Sequence, residues 1–369
     1  MSFSPGEHWP IPVLLVGMAN TPHRPTASEE SGTLMSRTGV EDKPPWHQVP
    51  QEVRLGVGEA LGSGVVRAAR VWGGYSPTPT FRLRLADGRR AFFKAVNGSS
   101  NEFAARAHVR EERVYRELGA WMGPWSPRFL GALHRGEWHA LLLEDVGPKS
   151  VPPWTPALTR RVAHTYAEFH AATLGRDLPA WLARPADSLP RVSWTAVVAA
   201  SDDLREVAAL AGARRAEAHE WLAAALPLLS RLADAAAAHP GPYALLHGDT
   251  RSDNLRYVGG RLVLFDWPFA EVGRPELDLA ALAQSVTVEG GPPPEQVVAW
   301  YAARLPIDNG ALDGAIAWLA AFFAGLAWCD DIPGLPRLRP FQRRQLATVL
   351  AWAARRLALP APSWVSELS

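Results

Sequence analysis

The chain has 369 residues, of which 47% are hydrophobic and 20% charged, and its formal net charge is +1. This length favours two domains or one two-lobed unit, and the composition is typical of a globular protein. The net charge is near neutral, and the sequence has no basic stripe with interleaved aromatic residues. We therefore do not expect nucleic-acid binding.

A single cysteine, Cys329, excludes an internal disulfide and favours a reducing compartment, so we expect a cytoplasmic protein. No apolar run approaches the roughly 20 residues of a membrane span, and no membrane association is expected. The apolar segment 11–19 follows Glu7 and lacks the basic region of a secretion signal.

Lysine occurs at only three positions, against 35 arginines. Lys94 lies in a predicted strand, whereas Lys43 and Lys149 lie in proline-containing segments that we expect to be exposed. A lysine that persists in such an arginine-rich chain is a candidate for a role that arginine cannot fill.

The first part of the chain is predicted to form a tail and then a small sheet. Residues 1–45 are rich in Pro, Ser, Thr and Gly without periodicity, which indicates a disordered tail; Met35 is a candidate native start. Residues 46–147 are predicted to form a small antiparallel sheet with one main helix. Its predicted elements are a weak helix at 50–61, strands at 65–71, 80–85, 91–96 and 139–147, and a helix at 101–121.

Residues 148–369 are predicted to be mainly helical, after a linker that follows Gly147. The predicted helices are 155–175, 204–236, 276–287, 294–305, 311–328 and 340–357, and the only strand-like interruptions lie near 243–266. The whole chain is therefore predicted to be an α+β protein with a β-rich N-lobe and a helical C-lobe.

Two stretches of the C-terminal part carry polar groups directly after apolar strands. LLHGDTRSDNLRY, residues 245–257, places Asp249 and Asn254 five residues apart, and LVLFDWP places Asp266 twelve residues later. Asn254 and Asp266 are hard oxygen donors that suit Mg²⁺, and Asp249 would then be free to deprotonate a hydroxyl. For either stretch alone, the simpler interpretation is a hairpin whose Asp and Asn residues make turns.

HGDTRSDN resembles the H-G-D-x-x-x-x-N signature of aminoglycoside phosphotransferases and choline-kinase-like enzymes, which are relatives of protein kinases. LVLFDWP is similar to their metal-binding aspartate segment. The resemblance, which covers roughly residues 50–357, implies a bilobal protein-kinase-like fold with Asp249 as catalytic base and Asn254 and Asp266 as Mg²⁺ ligands. It also places Arg251 near the transferred phosphate and makes Asp278 a structural brace of the catalytic loop.

The same resemblance implies an ATP site in the N-lobe. Lys94, on AFFKAV, is similar to the family's phosphate-binding lysine, and its expected partner is Glu111 rather than Glu112, because Glu111 lies on the apolar face of the predicted helix. WGGYSPT resembles the loop that covers ATP, and LLLEDVG resembles the linker that binds adenine through main-chain groups. The residues implied in these two segments are Gly73, Gly74, Tyr75, Ser76, Glu144 and Val146.

The expected function is transfer of the γ-phosphate of ATP to a hydroxyl of a small molecule. Six acidic residues between positions 285 and 335 favour a cationic acceptor such as an aminoglycoside. Choline, ethanolamine, homoserine or a sugar are alternative acceptors, and a nucleotide-binding pseudoenzyme that regulates a partner is an alternative of another class. The sequence does not indicate the oligomeric state.

Overall fold

The computed structural model describes residues 43–72, 78–99, 102–148, 150–189, 192–332 and 334–368. Three expectations fall mainly outside these ranges: the predicted tail, whose described part begins at Lys43, the glycine loop with Gly73 to Ser76, and the exposure of Lys149. All structural statements below concern the described residues.

The N-terminal part contains a five-stranded antiparallel sheet in the order β1-β2-β3-β5-β4. Its strands are β1 (Val65–Arg70), β2 (Thr80–Leu85), β3 (Arg90–Asn97), β4 (Phe129–Arg135) and β5 (Trp138–Leu143). The sequence analysis did not predict β4. The strand pairs with a register shift between Phe129 and Gly131, and such a bulge at an internal glycine interrupts the alternation that identifies a strand.

Two helices cover the two faces of this sheet, α1 (Gln51–Leu61) and α2 (Glu102–Met122). In β2, Phe81 and Leu83 are buried in one apolar cluster with residues of α1. Because side chains of a strand alternate between faces, the intervening Arg82 points to the other face, which borders the C-terminal part of the chain. The predicted antiparallel sheet and the helix predicted over 101–121 are thus confirmed, and the weak helix predicted over 50–61 is the regular helix α1.

The C-terminal part is mainly helical, as predicted. Its helices are α3 (Pro156–Thr173), α4 (Pro185–Ser188), α5 (Trp194–Ala200), α6 (Arg205–Ala209), α7 (Arg215–Ala237), α8 (Pro275–Val288), α9 (Pro294–Ala302), α10 (Asn309–Ala327) and α11 (Leu338–Arg356). α3 begins where Thr155 accepts a hydrogen bond from the Leu158 backbone and Pro156 occupies the first turn, a common helix start.

The expectation that no apolar run approaches the length of a membrane span was wrong for α10. This helix has 19 residues and is apolar enough to cross a membrane by length and composition, but 72% of its apolar 18-residue segment is buried inside the protein. It packs against α7 and α11, which makes it a core helix of the C-terminal part.

Three details of the predicted helical part were wrong. The helix predicted over 204–236 is divided into α6 and α7, because Gly212 adopts a positive φ of 55° that ends the regular α-helical path. The short helices α4 and α5 were not predicted, since they are too brief to show helical periodicity. A short strand also lies beyond the region near 243–266, at β9 (Glu271–Gly273).

Two small antiparallel strand pairs interrupt the helices. β6 (Ala244–Leu246) pairs with β9, and β7 (Leu255–Val258) pairs with β8 (Arg261–Leu264). Every residue of β6 is buried, which explains why the run that opens the first polar stretch is apolar. These two pairs position the candidate site.

Candidate active site

The β7–β8 hairpin brings the two predicted metal ligands to the same end of a pair of strands. Leu255 lies opposite Leu264, and the Phe265 backbone N–H donates to the Asn254 carbonyl at 3.0 Å. Asn254 thus directly precedes one strand and Asp266 closely follows the other. Their twelve-residue spacing is therefore the length of one hairpin.

Asp249 is fixed against Asn254 in the turn between β6 and β7. The Asn254 side-chain amide donates to the Asp249 carbonyl oxygen at 2.9 Å and to Asp249 Oδ2 at 2.7 Å. Arg251 lies 3.3 Å from the same carboxylate oxygen. Because the NH₂ group of Asn254 makes these bonds, its Oδ1 points to a different side and remains a suitable metal ligand.

Asp278, on the buried helix α8, holds the backbone of this turn. Its carboxylate accepts hydrogen bonds from the backbone N–H groups of His247 at 2.6 Å and Gly248 at 3.0 Å, and from the Tyr166 hydroxyl at 2.6 Å. Burial alone would raise the pKa of Asp278, but the hydrogen bond and charge of His170 and the other donors lower it to about 2. The geometry is that of the structural brace implied by the resemblance.

Two neighbouring residues show why the turn needs this sequence. His247 Nδ1 accepts from the Asp249 backbone N–H at 3.2 Å, so its Nε2 carries the proton and donates to the Phe265 carbonyl at 3.0 Å. Gly248 has φ +77°, and a Cβ at this position would lie 2.4 Å from the Phe269 carbonyl oxygen. A larger residue cannot occupy position 248 unless the backbone moves.

Lys94 connects the sheet with the C-terminal part. Its Nζ lies 2.8 Å from Glu111 Oε2 and 2.5 Å from Asp266 Oδ1, and Glu111 Oε1 accepts from the Trp267 backbone N–H at 3.3 Å. The choice of Glu111 over Glu112 agrees with this geometry, since Glu112 is paired elsewhere, with an arginine and a histidine. Lys94, Glu111 and Asp266 thus link β3, α2 and the segment after β8.

The charges of this triad stabilise one another. Burial lowers the pKa of Lys94, but the two carboxylates more than offset this and hold it above its usual value. Burial alone would raise the pKa of Asp266, but Lys94 and Arg251 lower it to about 2. Burial raises the pKa of Glu111, against the opposing effect of Lys94. Asp266 is therefore ionised at neutral pH and retains the charge that a cation would need.

A cleft lies between the sheet and the turn. The predicted site residues that line it are Lys94, Glu111, Glu144, Val146, Arg251, Asn254 and Asp266. Asp249 joins this set through its bonds with Asn254 and Arg251. The side chain of Glu144 is paired with Arg261 at 3.2 Å.

The described residues contain no cluster of three or more His, Cys, Asp or Glu side chains that could hold a metal ion. Asn254 and Asp266 instead supply two oxygen ligands beside an open cleft. This arrangement fits Mg²⁺, which is commonly bound by one or two carboxylates together with substrate phosphates and water.

Three basic residues that the sequence analysis did not assign to the site also line the cleft: Lys43, Arg82 and Arg256. Arg82 pairs with Asp145 at 3.3 Å, and Arg256 lies over the Phe265 ring at 4.7 Å. Burial and the charge of Arg82 lower the pKa of Arg256 to about 10. The position of Arg82 and Arg256 within strands was only a weak signal in the sequence. Lys43 was wrongly expected to be exposed, and its exposed fraction is only 4%.

The acidic residues counted between 285 and 335 do not form one open cluster. Glu295 pairs with Arg355 at 2.9 Å, and Asp313 pairs with Arg356. Asp308 accepts a hydrogen bond from the Ala311 backbone as the cap of α10. Glu289 accepts hydrogen bonds from Ser252 and Trp154. Four of the six carboxylates therefore already have a local partner.

Comparison with known structures shows the fold. The spectinomycin phosphotransferase solved in complex with ADP and spectinomycin is 13% identical, with a TM-score of 0.55, over 86% of this chain and 97% of that chain. An aminoglycoside phosphotransferase from Alicyclobacillus acidocaldarius is 17% identical, with a TM-score of 0.51, over 80% and 93%. The macrolide 2′-phosphotransferase from Brachybacterium faecium is 17% identical, with a TM-score of 0.50, over 86% and 98%.

These likenesses confirm the predicted α+β, bilobal, protein-kinase-like fold. No curated protein matches the chain. The sequence model of the phosphotransferase enzyme family, by contrast, matches residues 67–341, which include β2, β3, the turn with Asp249 and the segment with Asp266. Because this match spans well over half of the chain, the chain belongs to the phosphotransferase enzyme family.

Proposed function

We propose that this chain transfers the γ-phosphate of ATP to a hydroxyl group of a small molecule. The observation that carries the proposal is that Lys94, Asn254 and Asp266 line one cleft, while Lys94 bonds to Asp266 at 2.5 Å and Asn254 bonds to Asp249 at 2.7 and 2.9 Å. Family membership supports phosphate transfer as the reaction class.

Asp249 is the proposed base. Its carboxylate is 29% exposed, so an acceptor hydroxyl can reach it, and the Asn254 amide fixes its orientation. It would accept the proton as the hydroxyl oxygen attacks the γ-phosphorus and the bond to the β-phosphate oxygen breaks, leaving ADP. General-base assistance of this kind contributes roughly 10²–10⁴ in rate.

Lys94, Asn254, Asp266 and Arg251 are proposed to position and neutralise the triphosphate. The ammonium of Lys94 would contact phosphate oxygens while Glu111 keeps it in place. Asn254 and Asp266 would hold Mg²⁺, which supplies neutralisation of phosphate charge when bound. Arg251 lies close enough to Asp249 to contact the phosphate during transfer.

Main-chain groups of Glu144 and Val146 are proposed to bind the base of the nucleotide, because both residues line the cleft at the connection between the two parts of the chain. Gly73, Gly74, Tyr75 and Ser76 are proposed to cover its phosphates. Their segment joins Trp72 to Thr78, and both of these residues line the same cleft.

The acceptor is proposed to be a small hydroxyl compound, with aminoglycoside-like cations as the first class to assay. Spectinomycin, aminoglycosides and macrolides are named for structurally similar phosphotransferases. The charge argument for a cation is weakened, because four of the six acidic residues that motivated it have local partners. Choline, ethanolamine, homoserine and sugars therefore stand beside aminoglycosides as candidates.

The test is a screen of the purified chain with ATP and Mg²⁺ against these compounds. Release of ADP is followed by a coupled assay, and each active compound is checked by mass spectrometry for one added phosphate. Acceptor-dependent ADP release with a phosphorylated product is the expected result. A chain that binds ATP but phosphorylates none of the compounds would favour the pseudoenzyme alternative.

A further inference from the structure

Arg256 is a buried cation in the wall of the cleft. It lies in β7 and is only 6% exposed. Leu255 before it points into the apolar core of the C-terminal part, so the alternation of the strand directs Arg256 to the cleft, which it lines. The pKa of Arg256 is lowered to about 10, which keeps its guanidinium charged at neutral pH.

The contacts of this guanidinium fix its position. Its Cζ lies 4.7 Å from the centre of the Phe265 ring, and Phe265 also lines the cleft. Its Nη1 donates hydrogen bonds to the carbonyl oxygens of Leu255 at 2.7 Å and Asp253 at 3.3 Å. Phe265 thus covers one side of the planar group, and a ligand in the cleft can approach the other side.

Arg256 has no carboxylate partner among the described residues, in contrast to three other basic residues of the cleft. Lys94, Arg82 and Arg251 each lie within 3.3 Å of a carboxylate oxygen. Nε of Arg256 is buried and has no hydrogen-bond partner within the same described part of the chain. Because burial of an unpaired charge is costly, a guanidinium of this kind beside an open cleft indicates contact with a ligand.

The sheet distinguishes the two ends of the cleft. Arg82, Phe92 and Leu143 lie in register across β2, β3 and β5, and all three line the cleft. Leu143 is followed directly by the linker, residues 144–147, which is proposed to bind the nucleobase. Lys94 lies two residues farther along β3, away from the linker, at the end proposed to hold the phosphates. The row of three side chains therefore borders the base and not the phosphates.

Arg256 faces this row from the opposite wall. The charge of Arg82 contributes to the lowered pKa of Arg256, so the two guanidiniums lie within range of each other's charge. Arg82 is fixed at the linker, where it pairs with Asp145 and donates to the Gly147 carbonyl. Arg256 therefore lies at the linker end of the cleft, although it belongs to the C-terminal part of the chain.

This position suits a flat, uncharged ring better than a phosphate. A guanidinium attracts the π-face of an aromatic ring, and the attraction is stronger where water is excluded. Every nucleobase presents such a face, whatever groups its edge carries. Phe92 would cover the base from the sheet, while Arg256, with Phe265 behind it, would cover the opposite face. The main chain of the linker would then bind only the edge of the ring.

We propose that Arg256 binds the nucleobase by stacking its guanidinium on the face of the ring. The inference rests on the proposed function, because it assumes that the cleft binds ATP. It deepens that function by assigning to base recognition a side chain that the sequence analysis left unassigned. Because the face of the ring makes the contact, Arg256 would strengthen the binding of ATP and GTP alike.

The experiment measures the dissociation constants of ATP, GTP, adenosine and inorganic tripolyphosphate by calorimetry in the presence of Mg²⁺. We expect Arg256→Met to weaken ATP, GTP and adenosine by a similar factor, about 5- to 30-fold, and to leave tripolyphosphate within about twofold of wild type. Arg256→Lys keeps the charge but loses the planar group, and it should still weaken the first three ligands at least about threefold.

Arg84→Met is the matched control, because Arg84 is an exposed arginine of β2 outside the cleft lining. It should leave all four dissociation constants within about twofold of wild type. Melting temperatures show whether each variant is folded, and Arg256→Lys decides the question if the methionine variant does not fold.

Wild-type affinity for ATP and adenosine in either folded variant of Arg256 would overturn the proposal. A loss for ATP and tripolyphosphate without a loss for adenosine would also overturn it, because Arg256 would then contact phosphate. A loss for ATP with GTP unchanged would show recognition of the edge of the base instead of its face. If the wild-type chain binds no nucleotide, the proposed function fails as well, whereas nucleotide binding that no variant changes overturns this inference alone.

Discussion

The two walls of the cleft are built in different ways. The C-terminal wall places Asp249, Asn254 and Asp266 on one continuous stretch of chain, with a hairpin between the last two. The N-terminal wall is assembled from distant segments, and its Lys94 reaches Asp266 across 172 positions of sequence. The proposed chemistry thus depends on a locally fixed turn, whereas nucleotide binding depends on the packing of the sheet against the C-terminal part.

The largest expected effect comes from removing the brace of the C-terminal wall. Asp278→Ala should lower the free energy of unfolding by about 3 kcal/mol or more, because buried N–H groups of His247 and Gly248 and the Tyr166 hydroxyl lose their acceptor. Urea unfolding measures this change. Asp234→Ala, an exposed aspartate on α7, is the control and should change stability by less than about 0.5 kcal/mol. Similar losses in both variants would contradict the bracing role.

A substitution in the N-terminal wall is expected to have a similarly large effect, in this case on catalysis. Lys94→Arg should lower kcat/KM for ATP by about 100-fold while the protein stays folded, because a planar guanidinium cannot occupy the position of a compact ammonium between Glu111 and Asp266. Steady-state kinetics measures it. The reverse exchange at an exposed position of the same strand, Arg90→Lys, should be silent. Wild-type kcat/KM in Lys94→Arg would remove Lys94 from nucleotide binding.

The pKa of Asp278 predicts a smaller, pH-dependent effect on the C-terminal wall. This pKa is lowered in the folded protein from 3.8 to about 2, so the stability it contributes is present above pH 4 and is lost as the pH falls towards 2. The full loss should be about 2 kcal/mol, of which about half falls between pH 5 and pH 3. Urea unfolding at pH 5, 4 and 3 measures it, and Asp278→Asn should remove this share of the dependence. An equally steep acid loss in that variant would show that other carboxylates cause it.

The smallest effect is expected for the acidic residues outside both walls. Glu295→Gln and Asp313→Asn should change the KM of any acceptor by less than about twofold, because each carboxylate already pairs with an arginine, Arg355 or Arg356. Kinetics with the best acceptor from the screen measures this. A rise in KM confined to cationic acceptors would restore the prediction that these carboxylates bind a cation.

The sequence predicted the C-terminal wall well because its spacing is local. Asn254 and Asp266 flank a hairpin whose length fixes their separation. In the N-terminal wall, the buried face of α2 likewise distinguishes Glu111 from Glu112. Lys43 could not be placed in the same way. Its burial depends on contacts of Arg70 and Trp46 with the sheet, and a proline-containing segment shows no periodicity from which such contacts could be inferred.

Arg82 and β4 show the same limit in other forms. Arg82 follows the predicted alternation of β2, but alternation does not reveal that the face in question borders a ligand cleft. β4 was missed because the bulge at Gly131 breaks its alternation. In both cases the missing information lies in the neighbouring segments and not in the residues themselves.

The most direct test of the account separates the two walls in one experiment on Asp249→Asn. If Asp249 is the base and the nucleotide is held mainly by the other wall, turnover should fall by roughly 10²–10⁴, while the dissociation constant of ATP stays within about threefold of the wild-type value. Lys94→Met should instead strongly weaken ATP binding. Near-wild-type turnover in folded Asp249→Asn would contradict the central claim that this carboxylate accepts the proton of the acceptor hydroxyl.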